Sequence, residues 1–298
     1  MTIPAALPRT KPKALNVGLQ LRRGSHVAVF DAEDRPAREQ LRLAAATFAA
    51  FPDIACLQAR LAVFNWRDNW LSRQFALEYA VQFDVWLPFL DKLGLPIPLG
   101  GTSCHFRAGV IEEVGGWDAF NVTEDADLGM RLARLGRRTA TLPSTTWEEA
   151  PNTLAQWLPQ RTRWLKGWVQ TWVVHMRDPG LLFRQLGFGR FAAFQLVVAL
   201  PFMSGLAHPV FLLLVLHQTW EGNLLLGGEG LAVILYVTAG ANLALSFAGT
   251  YLLAFAALRR RPMKGMIPEV FAMPACWLLV SIAAYRALWQ YVTAPFTW

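Results

Sequence analysis

Three short segments of the chain carry residue types at spacings that could do chemistry. The first is the acidic segment 31–34, Asp-Ala-Glu-Asp, which follows a short apolar run at 27–30. In open α/β sheets, ligands bind beyond the carboxyl ends of the strands. Carboxylates such as those of Asp31 and Glu33 can there share a hard cation, Mg²⁺ or Mn²⁺, that bridges a diphosphate. A solvated turn, with Asp34 capping a helix from about residue 36, explains the same residues equally well.

The second segment is 123–127, Thr-Glu-Asp-Ala-Asp, which precedes an amphipathic run at 128–132. A carboxylate placed here could act as the general base for an acceptor hydroxyl, an effect worth ~10²–10⁴ in rate. The structural alternative is a helix start, because Thr123 is a good N-cap and acidic residues are favoured in a first turn. Taken alone, the segment favours the helix start.

The third segment is 160–164, Gln-Arg-Thr-Arg-Trp. On a helix, Gln160 shares a face with Arg163 and Trp164, which follow three and four residues later. An Arg fork with an amide suits a phosphate oxyanion, and a flat indole suits the face of a sugar ring. The competing interpretation is an interfacial amphipathic helix, because tryptophans recur at helical spacing from 157 to 172 beside basic residues. Both interpretations can hold at once.

Other signals are weaker. The segment 100–103, Gly-Gly-Thr-Ser, could let a ligand approach the backbone closely, although a tight turn is the simpler interpretation. The sequence contains no Walker-type phosphate loop and no Gly-x-Ser-x-Gly elbow.

The elements that must position these segments alternate between strand and helix. Strands are predicted at 27–30, 54–64, 102–107 and 138–142, with helices at 36–51, 69–92 and 153–176. This alternation predicts an α/β domain with a largely parallel sheet.

The C-terminal third predicts membrane helices. Residues 191–216 and 230–258 contain no Asp, Glu, Lys or Arg, and each run is long enough to cross a bilayer of ~30 Å. A third helix, about 267–292, contains a shorter apolar stretch and could span or lie at the interface. The expected domains are therefore a head at 1–178, an interfacial linker at 179–190 and a membrane region at 191–298.

Charge distribution predicts the orientation. The connection 217–229 has no Lys or Arg, whereas 259–264 is strongly basic, so the positive-inside rule places residues 1–190 in the cytoplasm. A multi-pass protein of a cell membrane, such as a bacterial inner membrane, is expected. With 54% hydrophobic and 16% charged residues, the chain is neither a typical soluble protein nor a disordered one. Its net charge of +7 is too weak to indicate nucleic acid.

Taken in order, these segments resemble the membrane-bound family 2 glycosyltransferases, in particular the cellulose synthase-like branch that makes β-glycans processively. The resemblance covers roughly residues 8–298. It is carried by the stretch 9–16, Arg-Thr-Lys-Pro-Lys-Ala-Leu-Asn, by segments 31–34, 100–103, 123–125 and 160–164, and by the membrane helices that follow. No single motif is decisive, but the ordered set is highly specific.

The resemblance implies a partial GT-A type, Rossmann-like glycosyltransferase domain followed by transmembrane α-helices. It implies inverting transfer from a nucleotide-diphosphate sugar to a polysaccharide or glycolipid acceptor, with Mg²⁺ or Mn²⁺ as cofactor. The implied roles are the base for Asp125, an acceptor contact for Glu124, metal ligands for Asp31 and Glu33, and substrate contacts for a further group: Lys11, Gly101, Thr102, Gln160, Arg161, Arg163 and Trp164.

The N-terminus departs from the family pattern. Only 30 residues precede Asp31, so the first nucleotide-binding strands are expected to be missing and the chain is expected to be truncated. The alternative hypothesis is therefore a non-catalytic membrane remnant or partner subunit that cannot bind donor alone. A solute transporter is disfavoured, because neither clear span carries an ionisable residue. Two or three helices seldom enclose a channel, so processive transfer predicts an oligomer or an additional synthase subunit.

Overall fold

The structure is a computed structural model that describes residues 10–222 and 230–295. Arg9, which opens the first matched stretch, most of the connection 217–229, and the last three residues of the expected membrane region lie outside the described residues.

The described residues form a mixed sheet of five strands. The strands are β1 (His26–Val29), β2 (Arg35–Pro36), β3 (Ile54–Val63), β4 (Cys104–Arg107) and β5 (Arg138–Glu148). Their order across the sheet is β1-β4-β3-β5-β2. Strand β3 lies at the centre and is buried along nearly its whole length, as its continuous apolar run predicts.

The prediction of a largely parallel sheet is wrong. Strands β3 and β5 pair in parallel, but β4 is antiparallel to both β1 and β3, and β2 is antiparallel to β5. Parallel pairing requires a crossover connection, and α-helices supply it between β3 and β5. Strand β4 instead inserts between β1 and β3, a pairing between distant segments that the alternation of elements along the chain does not encode.

Helices cover the sheet and carry the segments of interest. The first seven are α1 (Lys11–Gln20), α2 (Gln40–Ala50), α3 (Trp70–Ala80), α4 (Leu87–Lys92), α5 (Ala108–Glu113), α6 (Glu124–Arg134) and α7 (Leu154–His175). A π-helical turn, Val81–Trp86, joins α3 to α4, so the predicted helix at 69–92 is confirmed as one continuous rod. Asn69 and Ser72 form a capping box at its start.

The helix predicted to begin near residue 36 begins instead at Gln40. Arg35 and Pro36 pair with Trp147 and Thr146 of β5, so these residues belong to an edge strand. Proline tolerates both a first helical turn and an edge strand, so its presence did not separate the two outcomes.

Four further helices follow the α/β domain: α8 (Pro179–Phe194), α9 (Leu200–Trp220), α10 (Leu231–Arg260) and α11 (Ile267–Thr293). A π-helical turn, Gln195–Ala199, joins α8 to α9. Within the described residues, three helical stretches are long and apolar enough to cross a membrane: Pro179–Trp220, Val233–Arg260 and Ile267–Thr293. The third stretch, whose topology the sequence leaves open, is a single continuous helix.

Ion pairs attach the α/β domain to the membrane helices. Arg73 of α3 pairs with Glu269 of α11, with Nη2 2.9 Å from Oε2. Arg261, just after α10, pairs with the buried Asp84, with Nε 2.7 Å from Oδ2. The basic segment that predicts orientation therefore also contacts the domain directly.

Candidate functional site

One cavity of about 610 Å³ lies where the α/β domain meets the membrane helices. Every residue that the sequence singled out as catalytic, substrate-binding or metal-binding borders it. They are Lys11, Asp31, Glu33, Gly101, Thr102, Glu124, Asp125, Gln160, Arg161, Arg163 and Trp164. One site is thus formed by helices α1, α6 and α7, by the segment that precedes β4 and by the segment that follows β1.

Lys11 connects two of the converging segments. Its ammonium group forms an ion pair with Asp31 and donates to the Gly101 carbonyl at 2.8 Å. Burial lowers the pKa of Lys11, but the bond to Asp31 and the negative charges of Glu124 and Asp125 outweigh burial and raise the pKa above its ordinary value. Lys11 therefore keeps its positive charge beside the carboxylates.

The acidic segment is held against the Gly-Gly-Thr-Ser segment. The Thr102 hydroxyl donates to Asp34 Oδ2, which also accepts the Asp31 amide at 2.8 Å. The interpretation of Asp34 as a helix cap is wrong, because its carboxylate orders this loop instead. Its other oxygen, Oδ1, is buried without a hydrogen-bond partner, and burial raises the pKa of Asp34.

The Gly-Gly-Thr-Ser segment has a backbone that few residues can adopt. Gly101 has a φ of +79°, and a Cβ there would lie 2.9 Å from Asp125 Oδ2, so a glycine lets the base candidate reach the loop. Buried Gln58 supports the loop from β3, accepting the Gly100 amide at 2.7 Å and donating to the Thr102 carbonyl at 3.0 Å. The segment is thus both a tight turn and part of the cavity wall.

The two acidic residues that open α6 line the cavity. Burial, and then the charge of neighbouring Asp125, raises the pKa of Glu124 to about 8. Burial also raises the pKa of Asp125, while Lys11 and Arg163 oppose that rise. The Asp125 charge disfavours a second charge on Glu124, so the pair is arranged for one ionised and one protonated carboxyl.

The third acid of the same helical turn has a different environment. Asp127 accepts from Arg131 at 2.7 Å and contacts His175 at 3.0 Å. Burial raises the pKa of Asp127, but these partners outweigh it and hold the pKa below its ordinary value. Asp127 is therefore a structural residue that connects α6 to α7, and only the two preceding acids border the cavity.

Thr123 occupies the N-cap position of α6, but its side chain caps nothing. Its hydroxyl lies 3.4 Å from Asn121 Oδ1, and its side chain packs on Gly167 of α7. A Cβ at Gly167 would lie 2.1 Å from Thr123 Oγ1, so α7 can approach the acidic residues this closely only with glycine there. Gly167 was not predicted as a site residue from the sequence, where a glycine in a helix interior was the available signal.

Two of the four predicted residues on α7, Arg163 and Arg161, have different partners. Arg163 donates to the Val122 carbonyl at 3.2 Å; burial lowers its pKa, while the charges of Asp125 and Glu124 oppose that fall. Arg161 instead pairs with Glu78 of α3, 2.5 Å away, and stacks on Trp164 with its guanidinium 5.0 Å from the ring centroid. Arg161 is therefore already engaged by the protein, although it borders the cavity.

The structure adds acidic residues that the sequence analysis did not select. Glu148 and Glu149, at the end of β5, line the same cavity. Burial, and then the acidic segment, raises the pKa of Glu148 to about 8, and Tyr79 contacts its carboxyl group. The predicted strand ended at 142, six residues before the observed end of β5, so this acidic pair was not recognised as following a strand.

The oxygen donors of the acidic segment are of the type that a hard divalent cation takes. Among the described residues, no three His, Cys, Asp or Glu side chains are close enough to hold a metal ion by themselves. Mg²⁺ commonly uses one or two carboxylates together with substrate phosphates. The carboxylates of Asp31 and Glu33, which both line the cavity, fit that donor set.

Comparison with known proteins identifies the family to which this chain belongs. The model of "Glycosyl transferase family group 2" matches residues 26–298. A beta-monoglucosyldiacylglycerol synthase of Trichormus variabilis is 29% identical over 167 residues, 55% of this chain and 35% of that protein. A cellulose synthase catalytic subunit of Pseudomonas fluorescens is 28% identical over 228 residues, 75% of this chain and 30% of that protein. The chain thus spans about a third of the length of these relatives.

A solved structure supports the fold. The mannosyltransferase PcManGT of Pyrobaculum calidifontis, in complex with GDP-Man and Mn²⁺, aligns with a TM-score of 0.51 over 95% of this chain and 67% of that chain, at 22% identity. The mixed sheet followed by apolar helices is therefore a GT-A type domain with candidate membrane spans, as the resemblance implied. Because the family model covers nearly the whole chain, this protein belongs to glycosyl transferase family group 2.

Proposed function

We propose that this chain transfers a sugar, with inversion, from a nucleotide-diphosphate donor to an acceptor hydroxyl at the cytosolic face of a membrane. The observation that carries the proposal is the meeting of Asp125 and Glu124 with Lys11 and Arg163 on one cavity. A base and a cluster of positive charge are the two requirements of a direct displacement that expels a diphosphate.

In the proposed reaction, Asp125 accepts the proton of the acceptor hydroxyl, and the resulting oxygen attacks the anomeric carbon. The bond from that carbon to the diphosphate breaks, and the electron pair leaves with the diphosphate. Lys11 and Arg163 face the negative charge that develops on the leaving group. Protonated Glu124 donates a hydrogen bond to the acceptor, and Trp164 offers a ring face to its terminal sugar.

A divalent cation fits this site at Asp31 and Glu33, with Asp34 adjacent. Its chemistry would be to neutralise the leaving diphosphate. The structural neighbour with GDP-Man and Mn²⁺ supports Mn²⁺ as the first cation to test. Gln160, which lines the cavity, would contact the diphosphate, whereas the pairing of Arg161 with Glu78 favours a supporting role for Arg161.

The acceptor is a polysaccharide or a glycolipid in this proposal. The two relatives carry names of both kinds, a glucosyldiacylglycerol synthase and a cellulose synthase subunit. The basic segment 259–264 supports a cytosolic position for the α/β domain, as in a bacterial inner membrane. An oligomer or an additional subunit stays a prediction.

Donor binding tests the proposal directly. The full chain, purified in lipid nanodiscs, is titrated by calorimetry with UDP-glucose and GDP-mannose, each with and without Mn²⁺. We expect saturable binding of at least one donor, strengthened by Mn²⁺ and weakened by Arg163→Ala. Arg184→Ala, on α8 and outside the cavity lining, is the matched control. Absence of binding by every donor would favour the non-catalytic partner subunit.

A further inference from the structure

The cavity differs in chemistry between its two ends. One end is lined by the charged residues Asp31, Asp125 and Arg163, which the proposed transfer uses. The other end is lined by Trp168 and by three residues from the candidate membrane spans, Val197, Pro201 and Val280. A single space thus runs from the base candidate to side chains of the candidate membrane spans.

The described membrane spans contribute no side-chain hydrogen-bonding group to the cavity wall. Val197, Pro201 and Val280 are the lining residues that the described membrane spans contribute, and none has a polar side-chain group. A passage for a growing glycan must replace the hydrogen bonds that sugar hydroxyls make to water, since burying an unpaired hydroxyl is unfavourable. An apolar wall instead suits a hydrocarbon chain.

The apolar end reaches the outer surface of the helices. Pro201 lines the cavity and is also exposed. Around it, Leu196, Leu200 and Met203 are 56%, 50% and 50% exposed. Large apolar side chains exposed on a membrane span face lipid, so an opening of the cavity at this point would lead sideways into the hydrocarbon layer.

The walls of this opening are fixed by specific contacts. The Trp172 indole of α7 donates to Gln195 Oε1 at 2.8 Å, which holds the π-helical turn beside the domain. One helical turn beyond Pro201, a Cβ at Gly205 would lie 3.0 Å from the Ala284 Cβ, so α9 and α11 are in direct contact there. The opening therefore lies between that helix contact and α7.

From this arrangement we propose that the acceptor is a lipid with a free hydroxyl. The hydroxyl lies at Asp125, and the apolar chain leaves the cavity past Val197 and Val280 into the membrane beside Pro201. This inference rests on the proposed function and narrows its acceptor to one class. The proton of the lipid hydroxyl passes to Asp125, the new bond joins that oxygen to the sugar, and the nucleoside diphosphate leaves.

The test compares acceptors on the full chain in nanodiscs, with the radiolabelled donor that binds and Mn²⁺. The acceptors are dibutyryl-, dioctanoyl- and dioleoylglycerol, with cellotetraose as a soluble glycan. We expect label in the organic-soluble product and an acceptor KM that falls at least tenfold from the shortest to the longest chain. Label only in cellotetraose, or a KM independent of chain length, would overturn the lipid assignment.

Substitutions in the cavity wall test where the acyl chain of the lipid lies. Val197→Phe and Val280→Phe fill the apolar end and should raise the KM for dioleoylglycerol at least tenfold. Leu213→Phe and Leu278→Phe, at exposed positions of α9 and α11 outside the cavity lining, should change that KM less than twofold. Donor binding shows whether each variant is folded. Equal changes in this KM in both pairs of variants would show that the acyl chain does not lie between Val197 and Val280. If the wild-type chain neither binds donor nor labels any acceptor, the proposed function itself fails.

Discussion

At the scale of single residues, neighbouring acidic residues in one helical turn have different roles because their surroundings differ. Asp127 is held by Arg131 and His175, whereas Glu124 and Asp125 face the cavity. Sequence identified the acidic cluster and its chemistry, but spacing alone does not say which carboxylates a neighbouring helix will neutralise. The difference in role between these carboxylates depends on the packing of α7 against α6.

The pH dependence of transfer follows from the raised pKa of the carboxyl pair. A raised pKa means that a carboxyl keeps its proton to higher pH, so the ionised base becomes more abundant as pH rises. We expect kcat/KM to increase with pH over a range higher than that of an ordinary aspartate, because burial raises the pKa of Asp125. Glu124→Gln should keep this rising limb and lose less than tenfold in rate, because its amide can replace the protonated carboxyl as a donor. Disappearance of the limb in Glu124→Gln, measured from pH 5 to 9, would assign the base to Glu124.

At the scale of elements, the position of the acidic residues depends on how closely α7 packs beneath them. Gly167 allows this approach, because any side chain there would meet Thr123. The sequence predicted α7, the joined helix at 69–92 and the central strand well, since each carries a long local pattern. It did not predict the antiparallel insertion of β4 or the length of β5, because pairing partners are set by contacts between distant segments.

Gly167→Ala tests this packing. The added methyl must displace Thr123, and a displacement of about 1 Å at a reacting group can cost about 10²-fold in rate. We expect kcat to fall about ten- to hundredfold, with a loss of about 1–3 kcal/mol in the free energy of unfolding. Gly189→Ala on α8, where a Cβ meets nothing within 4 Å, is the control. Equal kcat values for the two variants would show that the approach of α7 is not tight.

At the scale of the whole molecule, the α/β domain and the membrane helices share one site and are joined by ion pairs. Asp84 is 6% exposed and is held mainly by Arg261, while Arg60 lies 3.9 Å away. The sequence predicted the spans and the basic segment but not the contact of Arg261 with Asp84, which joins residues 177 positions apart. This docking brings α9 and α11 beside α7 and adds Pro201 and Val280 to the cavity wall.

Arg261→Ala should loosen the docking. Removing the main partner of a buried carboxylate costs about 2–3 kcal/mol, since Arg60 compensates only in part. We expect a lower Tm in nanodiscs, measured by the change in tryptophan fluorescence on unfolding, together with a reduced rate of sugar transfer. Arg259→Ala removes an exposed charge of the same segment and should leave Tm within about 1 °C. An unchanged Tm in Arg261→Ala would show that the ion pair does not hold the two parts together.

The most direct test of the account is the transfer rate of Asp125→Asn. This substitution keeps the shape of the side chain but removes the group that accepts the proton. We predict a fall of about 10²–10⁴ in kcat with donor binding retained within about threefold, because the proposed donor contacts lie on other residues. Transfer by Asp125→Asn at a rate close to that of the unmodified chain would contradict the assignment of the base and the mechanism built on it.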